Sequence, residues 1–259
     1  MLNAMDKTLK QKQERGERIL VTYYPLGDPA LGDPIARVGE FLEAGADVLE
    51  LGLPYKNPSL DGAVVSASME RSLSCVDIYQ ALSIVRTLRE TYPEACLQLM
   101  SYYEVAEELG LNEFCDLIKE AGADGVILPN APAEKHSLLH ETLNGLDLLD
   151  ILFAPISINQ VQAASIAQDA QGYVFLQAQT GGTGPQKSVA PQVKENIDTL
   201  RSLGTDALLC AGFGISSPAQ VHELVAMGAD GVIVGSSVIL AALEGRSREY
   251  IHSLKDALS

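Results

Sequence analysis

The chain has 259 residues, 47% of them hydrophobic, and carries 34 acidic against 18 basic side chains for a formal net charge of −16. That length suits one α/β barrel of about 250 residues, and the apolar fraction is enough for a large core. The charge argues against nucleic acid, which needs a basic face to release counterions, and the apolar runs are broken by Asp, Gly or Pro short of the ~20 residues of a membrane span.

The first segment, MLNAMDKTLKQKQERGER, has no apolar h-region, so the chain is read as cytoplasmic, and 4–16 within it as a helix capping the bottom of the fold. Nearly continuous apolar runs then predict parallel strands near 18–26, 47–53, 97–103, 125–129, 149–155, 172–178, 206–211 and 231–235. Helical patterns fall at 34–44, 75–92, 112–121, 134–144, 160–169, 190–203, 217–228 and 237–256, with Asn112-Glu113 and Ser217-Pro218 as start signals. A phrase repeats along the way: AGADVLELG (44–52), AGADGVILP (121–129) and MGADGVIVG (227–235), with LGTDALLCAG (203–212) as a looser fourth. Each reads as a helix closing on a left-handed glycine, a short polar turn, and a strand. Strict alternation leaves a closed barrel or an open doubly wound sheet. No G-x-G-x-x-G follows the first strand, and eight strands favour closure. The expectation is a single (β/α)8 TIM-barrel domain over 1–259, with an extra N-terminal helix.

Barrel chemistry sits at the C-terminal ends of the strands. There, Glu50 interrupts an apolar run between Leu49 and Leu51. A carboxylate is rarely buried without a partner, so a strand glutamate facing the interior is a candidate general acid or base with a raised pKa. The alternative is a glutamate turned outward to a Lys or Arg. Asp61 lies in the loop PYKNPSLDG (54–62), whose Asp-Gly is also an ordinary turn signal. Two carboxylates over one pocket can divide their roles, one moving protons and one staying ionised. GFG (212–214) and GSS (235–237), after the last two strands, fit a phosphate site of backbone N–H groups and a helix N-terminus. A net-acidic chain would need such a local site for an anion. GGTG (181–184) would add a flap over it.

PLGDP (25–29), AGADVLELGLP (44–54), the P-x(3)-LDG of 58–62, GGTG (181–184), GFGISSP (212–218) and GVIVGSSVI (231–239) stand in an order and at a spacing that resemble the tryptophan synthase alpha chain family over essentially the whole chain. The resemblance implies a lyase that splits indole-3-glycerol phosphate into indole and glyceraldehyde 3-phosphate. It assigns Glu50 as the acid-base residue that protonates indole C3, and Asp61 as the acceptor of the indole N–H. Tyr23, Met100, Tyr102, Phe175, Thr183 and Ile233 fall at the family's substrate-pocket positions, and Gly184, Phe213, Gly214, Gly235 and Ser236 at its phosphate cradle. It also implies a tryptophan synthase beta chain as partner in an alpha2beta2 assembly, met by loops 54–62 and 102–108. Departures bear on that contact. Lys56 and Asn57 replace a usual Ser-Asp pair, Glu104 stands at a usual asparagine, and Asn130 at a usual aspartate. Phe175 and Gln179 stand where a tyrosine and an arginine are common.

No metal or cofactor is expected. His136 and His140, at i,i+4 spacing, could share an ion but are read as a solvated helix face, and the four cysteines (Cys75, Cys96, Cys115, Cys210) as buried small hydrophobes. Without a lysine at a strand top, a Schiff-base aldolase is disfavoured. Two other readings stay open here: a phosphoribosyl-type isomerase, and a catalytically weak homologue that mainly activates a partner.

Overall fold

The computed structural model describes residues 3–179 and 189–259. Among these, parallel strands β1 (Ile19–Pro25), β2 (Val48–Gly52), β3 (Cys96–Met100), β4 (Gly125–Ile127), β5 (Leu149–Asp150, resuming as Leu152–Ala154), β6 (Tyr173–Gln177), β7 (Leu208–Gly212) and β8 (Gly231–Val234) follow one another around a single sheet. β1 joins the two ends of the order, since Val21 is in register with both Val48 and Ile233. The ring closes through the two halves of β5: Val126 pairs with Asp150, the Ile151 N–H still bonds Val126 O at 2.9 Å, and Leu152 pairs with Val174. The result is the (β/α)8 barrel that the alternation of elements predicts. Every strand position from Ile19 to Pro25 and from Val48 to Gly52 is buried, as parallel strands covered on both faces require.

The repeated phrase is a device for closing the ring. Its glycines hold positive φ, 106° at Gly45, 84° at Gly122 and 98° at Gly228, where a β-carbon would be strained. The aspartate that follows grips the start of the preceding strand by both its polar groups. Asp47 Oδ2 accepts the Leu20 N–H at 2.7 Å while its own N–H donates to Leu20 O, and Asp124 does the same to Leu97 and Asp230 to Leu209. Each carboxylate also meets a cation: Lys12 and Lys255 at Asp47, Arg89 at Asp124, and Arg201 at Asp230. α1 (Ala4–Glu14) lies across this rim, burying Met5 and Leu9 while Gln13 donates to Asp206 O.

The helical reading is corrected in places. α2 (Ala63–Leu73) occupies a stretch given no element from the sequence, and a short helix at Tyr103–Leu109 one read as loop. Both begin without a side-chain cap, so the usual start signal is missing. α2 is held from outside its own sequence by a bidentate Arg71 to the buried Asp28, which also receives the Ser68 hydroxyl. The pattern at 237–256 divides at Gly245 into Ser236–Leu243 and Ser247–Asp256. Asn112 is not a cap, since Leu111–Ala121 starts from Gly110, whereas Ser217 does accept the Gln220 N–H ahead of Pro218. Cys96, Cys115 and Cys210 are buried, but Cys75 is exposed at the approach to the helix Ile78–Thr91.

Candidate active site

The C-terminal ends of the strands surround a cavity. Tyr23, Glu50, Asp61, Met100, Phe175, Phe213, Gly214, Ile233, Gly235 and Ser236, all singled out from the sequence, line it together. Small residues at the strand ends make the room. A β-carbon on Gly52 would lie 2.0 Å from the Tyr23 hydroxyl, and one on Gly212 would lie 2.8 Å from the Phe175 ring.

Glu50 points into this space from β2 and is buried. Burial, and then the negative charge of Asp61, push its carboxyl up to about 8, against a smaller opposing pull from the Gln98 amide. That amide donates to Glu50 Oε2 at 3.4 Å, and its own oxygen accepts the Tyr173 hydroxyl, which fixes which end of Gln98 faces the glutamate. The outward-turned alternative for Glu50 is thereby excluded. Asp61 is held differently: the Tyr102 hydroxyl donates to its Oδ2 at 2.8 Å and accepts the Leu60 N–H at 3.2 Å, and the Asp61 N–H closes a turn on Pro58 O. Tyr102, read as a pocket residue, does not line the cavity. It stands behind Asp61, fully buried and stacked on Tyr55 at 5.0 Å, as the post on which the loop is hung. Burial and the Asp61 charge raise its pKa, so it stays a donor.

An apolar wall and a polar end complete the cavity. Phe153, Phe175 and Phe213 meet ring to ring with centroids 5.6–5.8 Å apart, a geometry suited to a flat aromatic ligand. Phe213 has φ of 74°, a costly conformation for a non-glycine residue, next to Gly214 at 86°. Its ring belongs to the wall while its backbone belongs to the loop. Opposite, Gly235 precedes the helix Ser236–Leu243, whose first N–H groups have no intrahelical partner. Among the described residues, Ser236 Oγ and the Tyr23 hydroxyl are buried without a hydrogen-bond partner. A buried polar atom without a partner is costly unless a ligand supplies one. Gln220 braces the loop from below, accepting the Ser216 N–H at 2.9 Å and donating to Gly214 O at 3.3 Å, and Ser237 donates to Ile215 O.

Leu60, Val65, Ile127, Pro129, Phe153, Ile215 and Ser237 also line the cavity. Leu60, Ile215 and Ser237 fall within the motifs singled out from the sequence, and Ile127, Pro129 and Phe153 within predicted strands; Val65 alone carried no signal. Thr183 and Gly184 lie outside the described residues.

The model of the tryptophan synthase alpha chain family matches residues 9–257. The chain belongs to that family. The alpha chain of Synechocystis sp. is 36% identical over 257 residues, covering 98% of this chain and 96% of its own, and that of Picosynechococcus sp. is 34% identical with both chains fully covered. The tryptophan synthase subunit alpha of Legionella pneumophila str. Paris superposes with a TM-score of 0.86 at 29% identity, over 100% of this chain and 99% of that one. As a member, the chain is a lyase of tryptophan biosynthesis.

The outer loops are tied together by their own side chains. Lys56 pairs with Glu108 across the two loops at 3.7 Å. Glu104 and Asn130 bond each other: Asn130 Nδ2 donates to Glu104 Oε2 at 2.8 Å, while its oxygen accepts the Tyr103 N–H.

Proposed function

We propose that Glu50 and Asp61 divide the cleavage of indole-3-glycerol phosphate between proton transfer and charge stabilisation. The observation that carries this is the difference between them: both face one cavity, but Glu50 is buried with its carboxyl raised to about 8, while Asp61 is held by the Tyr102 phenol. Near neutral pH, protonated Glu50 delivers its proton to indole C3. Asp61 accepts a hydrogen bond from the indole N–H and stabilises the positive charge that develops on the ring. Glu50, now a carboxylate, takes the proton of the C3′ hydroxyl. The C3–C3′ electrons then return to the ring, the C3′ oxygen becomes the aldehyde of glyceraldehyde 3-phosphate, and Glu50 ends as it began.

The phenylalanine wall with Met100 and Ile233 takes the indole ring, and Gly214, Gly235 and Ser236 take the phosphate through backbone N–H groups, a helix N-terminus and a hydroxyl. The same reading makes Thr183 a substrate residue and Gly184 a member of the phosphate cradle. A local cradle of this kind suits a chain whose net charge of −16 repels an anion at long range. Family membership sets aside the isomerase alternative. Purified Glu50→Gln and Asp61→Ala variants should each lose indole release from indole-3-glycerol phosphate by about 10²-fold or more. Wild-type rates in both would refute the assignment.

The same reading makes a tryptophan synthase beta chain the partner, met through loops 54–62 and 102–108, with the Lys56–Glu108 and Glu104–Asn130 pairs at the contact. Mixing the two chains and following complex formation by size-exclusion chromatography tests it; chains that elute separately, with no change in indole release, would refute it. The chain is taken as one barrel domain acting in the cytoplasm; among the described residues no helix is long and apolar enough to cross a membrane.

A further inference from the structure

His136 and His140 do not form the solvated helix face that their spacing suggests. Both are partly buried on the helix His136–Gly145, and their rings stack at 5.8 Å with planes 20° apart. They turn toward Asp150, a carboxylate buried at the break in β5. Asp47, Asp124 and Asp230 each have a lysine or arginine. Among the described residues, the ion pairs of Asp150 run instead to these two imidazoles, with His140 Nδ1 3.1 Å and His136 Nε2 3.8 Å from its Oδ2. Uncompensated burial of a carboxylate is costly, so this acid needs a positive charge at that spot.

We propose that His136 Nε2, His140 Nδ1 and Asp150 Oδ2 form a binding site for a borderline divalent cation, zinc foremost. One donor atom from each residue lies within 4.8 Å of the other two. Zinc bonds of about 2.0–2.1 Å in a tetrahedron place ligand atoms about 3.3 Å apart, so the three close on an ion by side-chain rotation alone. Two nitrogens and one carboxylate oxygen are a borderline donor set, which selects against calcium and magnesium. The far nitrogen of His136 supports the assignment, because Nδ1 faces Asp169 Oδ2 at 3.8 Å. A carboxylate behind the second ring nitrogen is the arrangement that orients metal-bound histidines. The ion would tie the helix His136–Gly145 to β5, with Asp169 behind it at the end of the helix Gln160–Asp169, and none of these four side chains lines the cavity around Glu50.

The test is calorimetric titration of the chelator-stripped full chain with zinc chloride, with cobalt chloride as a spectroscopic probe. The expected result is one equivalent of zinc at micromolar or tighter affinity, a tetrahedral cobalt absorption band, and a higher Tm. The His136→Gln/His140→Gln variant, whose changes fall on the outer helix, should bind at least about tenfold more weakly while releasing indole at the wild-type rate. Asp150→Asn should do the same where it folds. Absence of saturable binding, or a double-histidine variant that takes up zinc with wild-type stoichiometry and affinity, overturns the proposal.

Discussion

At the N-terminal rim of the barrel, Asp47, Asp124 and Asp230 each receive a backbone N–H and a lysine or arginine, whereas at the C-terminal rim Glu50 has one amide donor and an acid for a neighbour. The same carboxyl chemistry thus holds strands together at one end and is kept protonated at the other. Asp124 is nearly as buried as Glu50, and burial raises its carboxyl too, but the Leu97 N–H and Arg89 pull against that shift. What differs is the supply of donors and cations, not depth alone.

The largest expected effect sharpens that contrast. An acid whose pKa rises from 4.5 to about 8 on folding keeps its proton in the folded chain through a pH range where the unfolded chain has lost it. Stability from this group therefore falls as pH climbs from about 4.5 to 8, by up to about 5 kcal/mol. Glu50→Gln cannot titrate, so its Tm should exceed wild type most at pH 9 and least near pH 5, read by calorimetry. An advantage that does not grow with pH would break the comparison.

Asp124→Asn should cost about 2 kcal/mol in urea unfolding by removing the charge-assisted bond to Arg89, which keeps only its carbonyl partners at Gly122, Pro93 and Ala95, while leaving kcat/KM per folded molecule unchanged. Gly235→Asp tests the anion end. Its φ of −107° and the nearest side-chain atom at 3.5 Å leave room for a β-carbon, so the added carboxylate acts by charge. KM for indole-3-glycerol phosphate should rise about tenfold or more, a loss of binding worth about 1.4 kcal/mol. The smallest effect is expected from Gln98→Leu. Removing the one amide that favours ionised Glu50 moves the alkaline limb of the kcat/KM profile upward, with little change in its height.

The ring of strands could be read from the sequence because its signal is local: a left-handed glycine, a turn aspartate and an apolar run recur within a few residues. Glu50 showed for the same reason, as one charge inside such a run. Other features depend on partners far along the chain. Gln98 lies 48 residues from Glu50 and 75 from Tyr173, so nothing in its own strand marks it. α2 depends on Arg71 reaching Asp28, 43 residues away, which no periodicity encodes. His136 and His140 were visible as a pair, but Asp150, which turns the pair inward, comes from the next strand.

The bonded pair at Glu104 and Asn130 bears on how such a surface can change over time. Glu104→Asn leaves two amides, which can still donate and accept, whereas Asn130→Asp sets carboxylate against carboxylate. The two substitutions are therefore not independent. Exchanging the amide and the acid between the loops is open in one order and blocked by repulsion in the other.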